Sequence, residues 1–295
     1  MGEPYTYALT PDGAGAANAG GLASTRCLAL AYAAIAFVKR GVVIYLSYRV
    51  KFLLSLVSLS LSILTFALVG RVVEAAGTGF AERYGTDYAS FAIVGVAIHA
   101  VASRGLSCFR SAVRREQLQG TLETLFTSRL PASATVSMAG LGDLAMGVAG
   151  GGVFLAAAGA LLGVRVFGGP HALPAVILYG AFMAGLGLAS AGCVLVSKEG
   201  EPVSWLFGAA SGLMGGVFFP VDLLPSWLAR ASRLLPTTHA LALVRGTGGG
   251  PHGFASTSTS LIVLSCAAVL SLAVGAVALR AGYRCARRRG TLGEY

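Results

Sequence analysis

The sequence predicts an all-α, polytopic membrane protein. Hydrophobic residues make up 55% of the chain and charged residues only 12%, whereas soluble domains carry about a quarter charged residues. Apolar runs that approach the roughly 20 residues needed to cross a hydrocarbon core recur along the chain. The 41 glycines fit this class, because small residues allow membrane helices to approach closely.

Six apolar runs have about the length of transmembrane helices, and they define a transmembrane domain over residues 52–280. Polar, glycine-containing or proline-containing segments separate them. We expect the spans at residues 52–70, 88–109, 136–164, 173–196, 203–219 and 260–279.

The segments before and after the spans have different compositions. Residues 1–20 are rich in Gly and Ala without periodicity, and we expect a disordered cytoplasmic tail. Residues 21–51 hold a short apolar run with basic and aromatic flanks, which favours an interfacial connecting helix over a secretory signal. Residues 281–295 form a basic tail that we expect to contact anionic lipid.

Residues 220–259 do not form a clean span, because several prolines interrupt their short apolar pieces. Irregular backbone at membrane depth must be surrounded by protein or water. We therefore expect a re-entrant hairpin of short helices on the external side.

Basic residues indicate the orientation of the spans. With the N-terminus in the cytoplasm, the inside segments hold sixteen Lys and Arg residues and the outside segments hold six. This asymmetry matches the positive-inside rule. We expect both termini, and also residues 111–131, to lie in the cytoplasm.

Residues 111–131 are the most highly charged segment between the first and last apolar runs. Leu118, Leu122 and Leu125 recur at helical spacing, and Pro131 ends the pattern. The spacing predicts an amphipathic helix along the membrane surface. An ordinary juxtamembrane loop with basic residues is the alternative that the pattern leaves open.

Two motifs lie in separate parts of the chain. The first comprises Arg115-Glu116, Gly120-Thr121-Leu122-Glu123 and Pro131. The second comprises Gly216-Val217-Phe218-Phe219-Pro220, Leu224-Pro225, Trp227-Leu228, Pro236 and Arg245. Their sequence, their order and their places among the six spans resemble the permeases of type-2 ATP-binding-cassette (ABC) exporters. The resemblance covers the chain from about Phe52 to the end of the sixth span.

The resemblance implies that residues 111–131 contain a coupling helix, which docks in a groove of a separate ABC ATPase subunit. The residues implied in this coupling are Arg114, Arg115, Glu116, Gly120, Thr121, Leu122, Glu123 and Pro131. The residues that match the family's external hairpin are Phe218, Phe219, Pro220, Pro225, Trp227 and Pro236. The resemblance also implies a homodimer of permease chains, with ATP and Mg²⁺ bound by the partner ATPase and no cofactor bound by this chain.

Gly208, Gly212 and Gly216 recur every fourth residue in the fifth apolar run. Such a ridge predicts a close helix contact, and the resemblance places this span near the centre of a permease dimer. Chance spacing is the alternative, because glycine is abundant throughout the chain.

Asp143 and His99 are ionisable residues within predicted spans, and such residues are functional candidates by default. Asp143 could bind a cationic substrate or carry a proton. We favour a simpler interpretation, in which Asp143 lies near the cytoplasmic boundary, hydrated or paired with Arg104 or Arg129. His99 fits a polar packing residue better than a proton relay.

Several chemistries lack their sequence motifs in this chain. It contains no GxxxxGK(S/T) phosphate-binding loop, no GxSxG or HExxH motif and no CxxC pair, so we expect neither catalysis nor a metal site. The length and position of the basic tail argue against nucleic acid as a partner. High Ala, Gly and Arg with few Lys points to a GC-rich bacterial genome.

The function we expect is that of the membrane subunit of an ABC exporter in the cell membrane. The few charges in the spans favour an amphipathic small-molecule cargo, such as a drug-like natural product, and hence drug efflux or antibiotic resistance. Three alternatives stay open: a proton-coupled secondary transporter that uses Asp143 and His99, lipid or polysaccharide export by the same architecture, and a membrane scaffold or receptor.

Overall fold

The computed structural model describes residue 39 and residues 49–118, 132–163, 169–197, 201–246 and 255–289. In this part of the chain there are no strands, which confirms the all-α prediction. A 3-10 helix, Val221–Leu223, accompanies nine α-helices. These are α1 (Arg49–Ala75), α2 (Phe80–Tyr84), α3 (Tyr88–Leu118), α4 (Ala132–Leu162), α5 (Ala172–Ser197), α6 (Glu201–Met214), α7 (Ser226–Ser232), α8 (Pro236–Val244) and α9 (Thr257–Arg289).

Among the residues that the structure describes, four helices are long and apolar enough to cross a membrane, namely Tyr88–Arg115, Gly142–Leu161, Ala172–Val196 and Thr257–Arg288. They coincide with the second, third, fourth and sixth predicted spans, and they confirm a polytopic membrane protein. The 27-residue α1 covers the first predicted span and exposes large apolar side chains along its length, among them Leu54 and Leu61. The total of six spans stays a prediction.

The fifth predicted span, residues 203–219, is helical only as far as Met214. The 14 residues of α6 extend for about 21 Å, which is less than the ~30 Å of a hydrocarbon core. The chain then turns at Gly216, whose φ of 77° is a left-handed conformation that glycine adopts at little cost. Gly216 therefore forms a turn and does not continue a helical ridge.

The predicted segments at the two ends of the chain lie largely outside the described residues. This applies to the tail at residues 1–20, to nearly all of the connecting helix predicted at 21–51 and to residues 290–295. Residues 49–51 form the first turn of α1, so in the structure they continue directly into the first predicted span.

The closest backbone contact between helices joins α5 and α9. A Cβ atom on Gly275 would lie 2.2 Å from the carbonyl oxygen of Gly185, and one on Gly282 would lie 2.3 Å from that of Gly192. Only hydrogen fits at these positions, so two pairs of glycines bring the helices together. Small residues serve membrane helices in this way.

The glycine ridge predicted on the fifth span does not make such a contact within the chain. A Cβ atom on Gly208 would have no neighbour within 4 Å, and one on Gly212 would come no closer than 3.5 Å to the His99 ring. A role for this ridge between two chains stays a prediction.

Helix α3 lies at the centre of the fold, where it packs against α4 and α5 and also contacts α1, α6 and α8. Its residues Ile93, Ala97 and Val101 are buried. Large apolar side chains on the outer faces of α1, α6 and α9 are exposed, as Leu61, Leu206 and Val269 show. A surface of this kind requires lipid or a protein partner.

We predict that Gly192→Ala destabilises the protein by about 1–3 kcal/mol, because the new methyl group overpacks the seam between α5 and α9. It would lie 2.6 Å from the carbonyl oxygen of Ala278. Gly180→Ala in the same helix is the matched control, since a Cβ atom there has no neighbour within 4 Å. Thermal unfolding in detergent measures both variants, and equal midpoints would contradict the proposed contact.

Candidate functional site

Polar contacts join α3 to neighbouring elements at both of its ends. We call the end at Tyr88 the hairpin end, because residues 220–246, here called the hairpin, pack beside it. We call the end at Leu118 the loop end, because residues 119–131 follow it. Helix α4 begins at Ala132, so α3 and α4 flank this segment.

Part of the predicted coupling segment continues a span helix. Arg114, Arg115 and Glu116 lie in the last turns of α3, and both arginine side chains are exposed. The remaining predicted coupling residues lie outside the described residues: Gly120, Thr121, Leu122, Glu123 and Pro131. Their helical conformation and their role stay predictions.

Asp143 forms an ion pair with Arg115 at the loop end, where Nη2 donates to Oδ2 over 2.8 Å. The sequence favoured an Asp143 that is hydrated or paired with Arg104 or Arg129. Arg104 instead packs its aliphatic stem along Gly147, and Arg129 lies outside the described residues. Side chains on a helix lean toward its N-terminus, which allows Arg115 to reach back along α3 to Asp143.

Arg245 connects three elements at the hairpin end. Its Nη1 donates to the carbonyl of Gly216 over 2.8 Å, and its Nη2 donates to the carbonyls of Phe91 and Val217 over 2.8 and 3.1 Å. The guanidinium also lies 3.5 Å from the centroid of the Phe91 ring. One side chain at the end of α8 thus joins the start of α3 and the turn after α6.

The position of the Arg245 guanidinium follows from two local features. Carbonyl groups at the C-terminal end of a helix lack partners and carry negative partial charge, so a cation is favourable beside those of Gly216 and Val217, which follow α6. Gly95 provides the space, because a Cβ atom on it would lie 2.1 Å from the Val217 carbonyl oxygen and 2.6 Å from Nη2 of Arg245. Burial lowers the pKa of Arg245, but an arginine bonded to carbonyls stays charged at neutral pH.

Buried hydroxyl groups attach the hairpin to the span helices. Thr237 of α8 lies between the hydroxyl of Tyr179 on α5, at 2.9 Å, and the hydroxyl of Ser211 on α6, at 3.2 Å. Ser232 of α7 donates to the carbonyl of Met214 at the end of α6. Hydrogen-bonded networks of this kind are strong in an interior of low dielectric.

His239 extends this attachment to α9. Its Nε2 donates to the carbonyl of Arg233 over 2.9 Å, which leaves Nδ1 to accept from Ser260 of α9 over 3.1 Å. Burial lowers the pKa of His239, although the Arg233 contact opposes the shift. The neutral imidazole therefore joins α8 to α9 in the interior of the fold.

The other predicted hairpin residues shape the path of the chain. Phe218 stacks on Phe66 of α1, with ring centroids 6.3 Å apart, and its carbonyl accepts from the Tyr88 hydroxyl over 3.1 Å. The prolines stand where helices start, a place at which a missing N–H costs little. Pro220 and Pro225 are N-caps and Pro236 opens α8, whereas Phe219 follows the turn and Trp227 is exposed on α7.

His99 and Asp143 do not form a pair in the structure. Asp143 faces Arg115, whereas the His99 ring lies near Gly212 and 6.5 Å from the Phe218 ring. The Nδ1 atom of His99 is buried without a hydrogen-bond partner. The geometry thus gives no direct relay between these two residues.

The family model described as "ABC-2 family transporter protein" matches residues 77–277. This match covers more than half of the chain, from α2 into α9, and includes both the hairpin and residues 119–131. The chain belongs to the ABC-2 transporter family. No curated protein was found to be similar to it.

Membership of the ABC-2 family makes this chain a membrane-embedded transporter subunit and implies an ABC ATPase as its partner. Subunits of this type are typically non-catalytic. The features that sequence reasoning missed in this ABC-2 protein are the Arg115 contact and the carbonyl contacts of Arg245. The sequence placed Arg245 in the second family motif, directly after the apolar run 240–244, but carried no signal of its carbonyl contacts.

We predict that Arg245→Gln lowers the stability of this ABC-2 protein by about 2 kcal/mol or more, since hydrogen bonds from a charged group contribute about 1.5–3 kcal/mol each. Arg245→Lys keeps the charge but loses the planar fork, and it should recover only part of the loss. Thermal unfolding in detergent measures both. Arg230→Gln is the control, because this exposed side chain donates to the Ser226 carbonyl of its own helix; equal effects at the two positions would contradict the assignment.

Proposed function

We propose that this chain is the permease subunit of an ATP-driven exporter, which forms the translocation pathway as a homodimer and is moved by a separate ATPase. The match of residues 77–277 to the ABC-2 family is the observation that carries this proposal. Because the chain lacks a GxxxxGK(S/T) loop, ATP and Mg²⁺ would be bound by the partner. This chain would convert the movement of the ATPase into altered access for a substrate.

Coupling is assigned to residues 111–131, with Arg114, Arg115, Glu116, Gly120, Thr121, Leu122, Glu123 and Pro131 at the contact with the ATPase. The position of this segment supports the assignment, because it joins two long helices directly. Any displacement of residues 119–131 acts at once on the ends of α3 and α4. Movement of packed helices is an established way to pass a local change through a protein.

A second permease copy is assigned to the surface that includes α6. Trp205, Leu206 and Leu213 are exposed on this helix, and Gly208 has open space where a side chain would begin. A glycine with open space in one chain permits the close approach of another. The exposed apolar face of α1 would be covered by the partner copy and by lipid.

The proposed orientation places the loop end and both termini in the cytoplasm, and the hairpin on the external side of a bacterial cell membrane. The distribution of basic residues supports it. The cargo would be amphipathic, such as a drug-like natural product, because the spans carry few charges. Drug efflux and antibiotic resistance would follow from that cargo, and lipid or polysaccharide export remains the alternative within the same architecture.

Proton-coupled transport through Asp143 and His99 has less support. The Asp143 carboxylate is engaged by Arg115 over 2.8 Å, so a cationic substrate would have to displace a bound guanidinium. His99 has no contact with this pair. ABC-2 membership favours an ATPase as the source of energy.

Purification of the tagged chain from its native membrane tests the proposal. We predict that an ATPase with a GxxxxGK(S/T) motif is retained, and that Glu123→Arg reduces its recovery by about tenfold, equal to about 1.4 kcal/mol of binding free energy. Glu82→Arg is the control with the same charge change, because α2 lies at the hairpin end. A chain that retains no ATPase, or an equal loss from both variants, would contradict the proposal.

A further inference from the structure

The pair between Arg115 and Asp143 joins the two helices that flank residues 119–131. Arg115 lies in the last turns of α3, and Asp143 lies in the first half of α4. Asp143 is the only charged residue of α4, so it has no competing partner on its own helix. The pair therefore joins the last turns of α3 to the first half of α4 and closes a stretch of chain, residues 116–142, that contains the segment 119–131.

Glycines of α4 hold α3 in register close to this pair. A Cβ atom on Gly140 would lie 2.2 Å from Cδ1 of Phe109, one on Gly147 would lie 2.6 Å from Cβ of Arg104, and one on Gly151 would lie 2.7 Å from a methyl group of Val101. Side chains of α3 thus occupy notches along α4. Sliding of one helix along the other would drive these side chains into α4.

The pair is too exposed to act mainly through stability. The side chains of Arg115 and Asp143 are 51% and 33% exposed, and ion pairs in contact with water contribute little. A charge on a membrane helix is nevertheless seldom left without a partner. The pair thus matters for the relative position of the two helices, since it joins the last turns of α3 to the first half of α4.

We propose that Arg115 is a positioning residue that clamps α3 to α4, so that a displacement of residues 119–131 moves both helices as one body. This inference rests on the proposed function, and it removes Arg115 from the residues that contact the ATPase. Its guanidinium already has a partner within the chain. The neighbouring Arg114 is exposed and remains available for docking.

A charge exchange distinguishes a clamp from a docking contact. The variants are Arg115→Asp, Asp143→Arg and the double exchange, each purified with its ATPase in lipid nanodiscs. In the single variants, like charges face each other and the helix ends separate. We expect the amount of bound ATPase and the KM for ATP to stay unchanged, while kcat for ATP hydrolysis falls by about 5-fold or more. The double exchange should return kcat toward that of the wild type.

Arg114→Asp is the matched control, because it makes the same charge change one residue away on α3. It should lower ATPase recovery, and Asp143→Arg should not restore it. Where a charge reversal prevents folding, Arg115→Gln and Asp143→Asn replace the single variants with the same expectations.

Three results would overturn the inference. Loss of bound ATPase in Arg115→Asp, without recovery in the double exchange, would show that Arg115 is a docking residue. Wild-type kcat in both single variants would show that the pair transmits nothing. If kcat falls in the single variants and the double exchange does not restore it, the two residues would act independently of each other. A wild-type chain without any ATPase would instead refute the proposed function, and the clamp with it.

Discussion

The contact between the Arg245 guanidinium and three backbone carbonyls is the constraint on which the hairpin end depends. Helix α6 stops short of a full span, and the turn at Gly216 leaves carbonyl groups that a bilayer could not satisfy. Arg245 satisfies those of Gly216 and Val217 and bonds Phe91 at the same time. The short helix α6 and the buried hairpin are therefore compatible because the Arg245 guanidinium, at the end of α8, bonds the carbonyl groups of the turn after α6.

Helix α3 connects this constraint to the loop end. Its first turn is held by Arg245 and by the Tyr88 contact with Phe218, and its last turns are held to α4 by Arg115. The buried hydroxyl groups of Tyr179, Thr237 and Ser211 attach the hairpin further to α5 and α6. The hairpin is thus packed into the helical core, and α3 is the helix that runs from the hairpin end to the loop end.

The class of the protein and most of its spans could be predicted from the sequence because they depend on hydrophobicity and length alone. Long apolar runs became long helices, and the prolines of the hairpin stand at helix starts, where their chemistry allows them. The family motifs led to the ABC-2 assignment, which the match at residues 77–277 confirms. These features are local, so a single sequence contains them.

The contacts between helices could not be predicted, because they depend on how each helix is rotated and how deep it lies. Among 41 glycines, spacing alone did not separate Gly185 and Gly275, which touch, from Gly208, which faces open space. Sequence position likewise favoured Arg104 or Arg129 as a partner of Asp143, whereas the direction of the side chains on α3 brings Arg115 to it. The lone arginine after α8 carried no signal of its three carbonyl partners.

Photo-crosslinking is the most direct test of the proposed contact between residues 119–131 and a separate ATPase. A benzophenone amino acid replaces Thr121 in this segment or Thr78 between α1 and α2, near the hairpin end. Light is then applied to the native membrane. The account predicts a covalent adduct between Thr121 and an ATPase chain, and none from Thr78. An adduct from Thr78, or its absence at Thr121 in a membrane where the ATPase is present, would contradict it.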